Sequence, residues 1–319
     1  MAMQLFNYCA IDWYENELKA NNLDLHKMVQ DMGADGIEQF VYSLNPVSNK
    51  YKDITVGVHL NYWPYWMDFW LKKAKRLKQQ FRNIRERNKY FKDAMSCDEW
   101  LSVIRRNIGA ALTQNPEYLV WHVAEANNEE AFTYEFNYSD REVLTAAADV
   151  FNSVCDEIPA HVPVLFENLW WPGLRLTDVR NVKYFFERLQ RQNVGIMLDT
   201  GHLMNTNVRL KNEAEGAEYV LKVYEKLGDC KSLVRGVHMS CSLSGAYQRS
   251  LSHQVPEKLD METIWKHIGN IDQHKPFQTE AARRILETIQ PEYVVHEVGY
   301  DSMKDLCEQL PIQLKACRE

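Results

Sequence analysis

The segment 194–202 limits what this chain can fold into more than any other stretch. It reads Val-Gly-Ile-Met-Leu-Asp-Thr-Gly-His, an apolar run that ends in an acid, a turn containing glycine and a histidine. A short apolar run bounded by turn residues is typical of a buried parallel strand. Asp199 then lies at the carboxyl end of the strand and His202 in the loop beyond it, where α/β folds bind ligands and metals. The alternative for this segment alone is that Asp199 caps a helix and that His202 is a surface residue.

The same pattern returns along the chain, and this recurrence predicts the fold. Short apolar runs alternate with segments of helical spacing, and several of them end in histidine or a carboxylate. They cover residues 5–9, 36–41, 54–59, 118–122, 162–168, 194–199, 233–238 and 293–297. Eight strands alternating with helices predict an α/β protein, a (β/α)8 TIM barrel, with a doubly wound open sheet as the second choice. No low-complexity linker divides the chain, so we expect a single domain over residues 1–319.

A basic insertion follows the third predicted strand, at about residues 62–98. Over 72–92 the only acid is Glu86. The basic residues are Lys72, Lys73, Lys75, Arg76, Lys78, Arg82, Arg85, Arg87, Lys89 and Lys92. The rest of the chain is strongly acidic, because the whole carries a net charge of −7. We expect a basic helix that is packed on the acidic body, forms a dimer contact, or serves as a lid or arm for phosphate or another anion.

Composition argues against several functional classes. The negative net charge disfavours a general nucleic-acid binder, so nucleic acid is a possible but less favoured partner. No stretch approaches the roughly 18 consecutive apolar residues of a membrane span, and the N-terminus has no basic segment of a signal peptide. The 7 cysteines are scattered without a close C-x-x-C pair, which predicts reduced thiols in a cytoplasmic protein. A homo-oligomer is compatible with the sequence.

The residues at the predicted strand ends indicate a metal site. In a barrel these ends point into one mouth, and the candidates there are His59, His122, Glu167, Asp199, His202, His238 and Glu297. Imidazole and carboxylate ligands without cysteine suit zinc first, with manganese, iron, magnesium or cobalt as alternatives. Carboxylates crowded into one mouth would repel one another without a cation. Glu38 either lines this mouth or is a buried polar residue of the barrel.

Four of the motifs resemble those of the xylose-isomerase-like TIM-barrel superfamily. They are Phe166-Glu167-Asn168, Leu198-Asp199-Thr200-Gly201-His202, Val237-His238 and His296-Glu297. That superfamily holds sugar isomerases and epimerases as well as nucleases of the endonuclease IV type, or AP endonuclease family 2. The resemblance covers most of the chain, although the basic insertion has no obvious counterpart. It implies a divalent metal held by Glu167, Asp199, His238 and Glu297.

The endonuclease IV branch resembles the chain further and implies up to three metal ions. His59 and His122 would hold one ion with Glu167 bridging, and His202 would hold another together with an Asp-x-His pair. Asp272-Gln273-His274 supplies such a pair, at a larger distance from His238 than the pattern of that branch. The segments that follow Glu167 and His238 also differ from that branch.

Three functions follow, and the first is narrowly favoured. A hydrolase would use metals bridged by Glu167 to cleave the phosphoester of a small phosphorylated substrate. A sugar or sugar-phosphate isomerase or epimerase would use one metal, with Glu167 and Glu297 exchanging a proton on carbon and His202 binding a substrate oxygen. A non-catalytic metal-binding scaffold is the third. Aromatic residues near the mouth would stack on the substrate or serve only for packing, namely Trp63, Trp66, Trp170 and Trp171.

Overall fold

A closed barrel of parallel strands forms the centre of the protein in a computed structural model, which describes residues 2–318. The strands are β1 (Met3–Tyr8), β2 (Gly36–Val41), β3 (Thr55–Leu60), β4 (Tyr118–His122), β5 (Val164–Glu167), β6 (Val194–Asp199), β7 (Val234–Met239) and β8 (Tyr293–His296). Each strand pairs with the next along the chain, and β8 pairs with β1 to close the ring. The predicted (β/α)8 TIM barrel is therefore confirmed.

Helices connect consecutive strands and surround the barrel. Within residues 2–318 they are α1 (Asp12–Ala20), α2 (Leu25–Asp31), α3 (Met67–Trp70), α4 (Ala74–Gln80), α5 (Ile84–Tyr90), α6 (Cys97–Leu112), α7 (Asn128–Thr133), α8 (Asp140–Asn152), α9 (Val179–Arg188), α10 (Thr200–Asn205), α11 (Glu213–Lys226), α12 (Gly245–Arg249), α13 (Met261–Ile271), α14 (Ala281–Ile289) and α15 (Met303–Arg318). Short 3-10 turns lie at Asn49–Tyr51, Cys155–Glu157 and Gly228–Leu233. None of these helices has the length and apolar character needed to cross a membrane.

Apolar side chains fill the barrel below its mouth. Leu165 and Met197 belong to this interior cluster and are fully buried. Because side chains alternate between the two faces of a strand, the residue two positions further along faces the same interior. Those residues are Glu167 on β5 and Asp199 on β6, each at the last position of its strand. The alternation therefore places a polar layer directly above an apolar one.

The basic segment 72–92 forms two short helices, where the sequence predicted one. α4 ends before Phe81, which is buried and has an extended backbone. α5 begins after Asn83, whose side chain accepts a hydrogen bond from the backbone N–H of Glu86. This cap satisfies a free N–H at the start of a new helix, so it favours a break at this point. Ile84, at the start of α5, is 61% exposed.

Candidate metal centre

Three groups of potential metal ligands lie side by side at the carboxyl ends of the strands. Within each group, one ligand atom per residue lies within 4.8 Å of all the others. The first group is His59, His122 and Glu167; the second is Glu167, Asp199, His238 and Glu297; the third is His202, Asp272 and His274. The structure thus brings together all nine residues that the sequence nominated as metal ligands, with Glu167 in two groups.

The first group joins β3, β4 and β5. Nε2 of His59 lies 3.0 Å from Nε2 of His122. Oε2 of Glu167 lies 3.2 Å from the former and 2.8 Å from the latter. These three atoms therefore surround one point, and nitrogen and carboxylate oxygen are ligands that zinc prefers.

The second group is the most deeply buried. Nδ1 of His238 lies 3.4 Å from Oε2 of Glu167, 3.3 Å from Oε1 of Glu297 and 4.0 Å from Oδ2 of Asp199. All four side chains are at least nine-tenths buried. Three carboxylates in such a place repel one another strongly, so a divalent cation among them would stabilise the arrangement.

The third group lies at the edge of the mouth. Oδ2 of Asp272 lies 3.2 Å from Nε2 of His202 and 2.7 Å from Nε2 of His274. The side chain of His274 is 27% exposed, more than that of any other member of the three groups. The third group is therefore the one closest to solvent.

The second ring nitrogen of four candidate histidines is held by a protein acceptor. In three of them Nδ1 donates to a backbone carbonyl oxygen at 2.9 Å. The pairs are His59 with Leu60, His202 with Asn168, and His274 with Glu297. In His238 the roles are reversed, since Nε2 lies 3.1 Å from the Glu38 carboxylate. In the neutral form of each ring, this bond places the single proton on the nitrogen that faces away from the group, which is the tautomer that metal ligation requires.

Several buried polar atoms at these groups have no hydrogen-bond partner among the described residues. They are Nδ1 of His122, Oδ2 of Asp199, Nδ1 of His238 and Oδ1 of Asp272. A buried polar atom without a partner costs about 1–3 kcal/mol. Two of the four, Oδ2 of Asp199 and Nδ1 of His238, face the second group, where a cation would supply the missing interaction. The donor set and these unpaired atoms fit a cluster of divalent metal ions.

Asp199 combines two functions that the sequence had posed as alternatives. Its Oδ1 accepts a hydrogen bond from the backbone N–H of His202 and so caps α10. Its Oδ2 faces the second group. Burial raises the pKa of this carboxyl to about 8, with His202 opposing the rise and Glu297 adding to it. A metal ion bound at Asp199 would displace the proton that this raised pKa favours.

The third group holds an ion pair in the metal-free protein. Burial lowers the pKa of the His274 imidazole, but the Asp272 carboxylate outweighs burial and raises that pKa to about 10. The same pairing holds the pKa of Asp272 below its usual range, against the effect of burial. Metal binding would displace the proton of His274.

The four tryptophans predicted at the mouth lie in two different places. The indole N–H of Trp63 donates to the carbonyl of Tyr90, and that of Trp66 to the carbonyl of Ala124, within the core beneath the insertion. The rings of Trp170 and Trp171 lie 4.7 Å apart and are tilted by 46°, and the Trp170 ring lies 5.2 Å from that of His202. The latter pair therefore covers the third group.

Two further residues contact the centre: Tyr62, which the sequence did not nominate, and Glu38, for which it left a place in the mouth and a buried position in the barrel as alternatives. The ring of Tyr62 lies 4.4 Å from that of His122, and its buried hydroxyl has no hydrogen-bond partner among the described residues. Glu38 accepts from Tyr118 and Asn7 besides facing His238. The only sequence signal for Tyr62 is its place two residues beyond the end of β3.

Solved structures of known proteins share this architecture. A D-tagatose 3-epimerase-like protein matches with a TM-score of 0.56 and 14% identity, covering 98% of this chain and 96% of that one. Endonuclease IV from Thermus thermophilus matches with a TM-score of 0.56 and 12% identity, covering 98% of both chains. A protein described as a xylose isomerase-like TIM barrel fused to a 4-hydroxyphenylpyruvate dioxygenase matches with a TM-score of 0.50 and 10% identity, over 99% of this chain and 42% of that one.

The chain has the xylose-isomerase-like TIM-barrel fold. No family model and no curated protein sequence matches it. Sugar epimerases and endonuclease IV are both named among the structures that share the fold. The three groups of potential metal ligands therefore lie at the carboxyl ends of the strands of a barrel with this fold.

Proposed function

We propose that the protein is a metal-dependent enzyme with a multinuclear centre and that it hydrolyses a phosphoester. The observation that carries this proposal is the position of Glu167 between the groups. Its Oε2 faces His59, His122 and His238, while its Oε1 lies 3.0 Å from Nδ1 of His202. A carboxylate shared in this way suits neighbouring metal ions better than a single one.

The residues of the cluster have separate tasks in this reaction. Clustered divalent ions activate water near neutral pH and stabilise charge on a phosphoryl oxygen. Glu167 would contribute a ligand to both the first and the second group. Asp272 and His274 would hold the ion nearest to solvent, where a substrate arrives. Zinc suits these ligands best, with manganese, iron, magnesium and cobalt as alternatives.

The aromatic residues at the mouth supply hydrogen-bond donors for a substrate. The indole N–H groups of Trp170 and Trp171 and the hydroxyl of Tyr62 are buried and have no acceptor among the described residues. Phosphoryl and sugar oxygens are acceptors, so a small phosphorylated substrate would satisfy such donors. The indole faces would stack on an apolar face of the substrate.

The basic insertion would attract an anionic substrate. Among its basic residues, within residues 2–318, only Arg76 lies within 4.0 Å of an acidic side chain, namely Asp68. The segment is therefore not neutralised by ion pairs with the acidic body. A concentrated positive potential raises the association rate of anions.

A single-metal sugar isomerase or epimerase is the second candidate. Glu167 and Glu297 both face Nδ1 of His238 in the second group, at 3.4 and 3.3 Å, and such a carboxylate pair suits proton exchange on carbon. Sugar epimerases also share the fold. This alternative uses the second group alone and leaves the first and third groups without a task.

The deciding experiment is a metal analysis of untagged protein purified without chelator. We expect two or three equivalents of zinc, iron or manganese per chain by inductively coupled plasma mass spectrometry, and hydrolysis of bis(p-nitrophenyl) phosphate by the loaded protein. A single equivalent with turnover of ketoses or aldoses would establish the second candidate. Absence of metal after reconstitution would overturn both, and a fully loaded protein inert on both substrate panels would indicate a scaffold.

A further inference from the structure

The long connection between β7 and β8 crosses above the metal groups. It contains α12, α13 and α14, and the Asp272-x-His274 pair follows α13 directly. Asp272 is the C-terminal cap of α13, because its N–H donates to the carbonyl of Ile268 in the last turn. The position of the end of α13 therefore sets the position of Asp272 and, two residues later, of His274.

α13 is hydrogen-bonded to α7, which lies in the connection between β4 and β5. Nε2 of His267 donates to the carbonyl of Ala131 in α7, at 2.8 Å. Its Nδ1 accepts from the hydroxyl of Tyr247, also at 2.8 Å. The imidazole ring stacks on Phe132 with 3.9 Å between centroids. His267 is 2% exposed, so one buried side chain links α7, α12 and α13.

The same elements enclose an apolar cluster over the ligands. Ile271, Ala131, Trp170 and Trp171 are buried together, and Tyr62 and Tyr247 pack against them. We name the assembly of α7, α12, α13 and this cluster the roof. Trp170 contacts His202, so the roof rests directly on the third group.

We propose that the roof assembles the third metal site: docking of α13 on α7 through His267 holds Asp272 and His274 against His202. His267 is then a positioning residue, acting through α13 rather than on the substrate. The proposal rests on the multinuclear function proposed above, and it adds that one metal ion depends on a part of the chain that is separate from the barrel strands.

A competing anchor exists and makes the proposal testable. Cys241 and Lys275 exchange two backbone hydrogen bonds at 2.8 and 3.1 Å, and the N–H of Gln273 donates to Ser242. If these bonds alone positioned Asp272 and His274, loosening of the roof would leave the third metal in place. The two anchors lie at opposite ends of the ligand pair and are separable by substitution.

The test compares His267→Leu, which removes both hydrogen bonds, with His267→Gln, whose amide retains a donor for the Ala131 carbonyl. Zinc content is measured after dialysis at a series of buffered free zinc concentrations, and hydrogen exchange reports on the amides of α13. We expect His267→Leu to lower the zinc affinity of one of the three sites by about 10–100-fold and to speed hydrogen exchange in α13. His267→Gln should restore much of the affinity and of the protection from exchange. Asp272→Asn marks which equivalent belongs to the third group, and Trp265→Ser, at a 67% exposed position of α13, is the matched control.

Two outcomes would overturn the proposal. If His267→Leu speeds hydrogen exchange in α13 but leaves all three zinc affinities unchanged, the bonds between Cys241 and Lys275 position the third site. Unchanged exchange in His267→Leu would show that His267 does not hold the roof. A wild-type protein without multiple metals would instead refute the proposed function, which separates the two failures.

Discussion

The carboxylate of Glu38 lies 3.1 Å from Nε2 of His238, across 200 residues of chain. Tyr118 and Asn7 donate to the same carboxylate at 2.8 and 3.1 Å, so its position is fixed from three sides. Nδ1 of His238 faces Glu167 and the other carboxylates of the second group. An acceptor behind a ligating histidine sets the tautomer, fixes the ring and increases its basicity.

Glu38→Gln is therefore expected to weaken metal binding at the second group by about 10-fold. The amide keeps the size of the side chain but removes the negative charge behind the imidazole. Competition with a chromogenic chelator measures the affinity. Tyr118→Phe removes one donor to Glu38 and leaves the charge, so its effect should be smaller. Equal effects of the two substitutions would assign Glu38 to packing alone.

The number of metal equivalents that a substitution affects is expected to equal the number of groups to which the substituted residue belongs. Asp272→Asn should remove one equivalent, because Asp272 belongs only to the third group. Glu167→Gln should weaken the binding of two equivalents, because Glu167 belongs to the first and second groups. Metal analysis with circular dichroism checks the content and the fold together. Identical losses in the two variants would contradict a multinuclear arrangement.

The stability of the metal-free protein is expected to fall as pH rises from about 6 to 10. The pKa of Asp199 is raised to about 8 and that of His274 to about 10, so the folded state holds protons that the unfolded state has already released. The free energy of unfolding then decreases with rising pH across this window. The melting temperature of chelator-treated protein measures the effect.

Metal is expected to reverse this dependence. Bound ions require deprotonated ligands, so affinity increases with pH until His274 no longer carries a competing proton. Calorimetric titrations in buffers of different ionisation enthalpy count the protons released, and the count should decrease between pH 7 and pH 10. A melting temperature that rises with pH in the metal-free protein would mean that other groups dominate.

Local patterns in the sequence were sufficient to predict the strands and the candidate ligands at their ends. Short apolar runs that end abruptly mark residues such as Glu167 and Asp199 without knowledge of the fold. The docking of His267 on Ala131 joins residues 136 positions apart, and no local pattern announces it. The sequence left two alternatives for Glu38, because its partner His238 lies on a strand that is not adjacent to β2. The basic helix breaks at Asn83, whose side chain caps α5. The pattern of charges along the segment does not indicate this break.

The basic insertion is expected to accelerate encounter with anionic substrates. The triple substitution of Lys73, Lys75 and Lys78 by glutamine removes three exposed charges from the insertion. It should lower kcat/KM for a phosphorylated substrate by on the order of 10-fold at low ionic strength, with kcat little changed. The difference should shrink as salt increases, because screening acts over roughly 10 Å at 0.1 M.

A matched control separates this local effect from net charge. Lys211, Lys222 and Lys226 are exposed on the acidic body, so their replacement by glutamine changes the total charge equally. That variant should retain the wild-type kcat/KM and its salt dependence, since the charges removed lie outside the insertion. Equal losses in the two triple variants would show that net charge alone steers the substrate. No loss in either would leave the insertion as a structural element or a contact between copies of the chain.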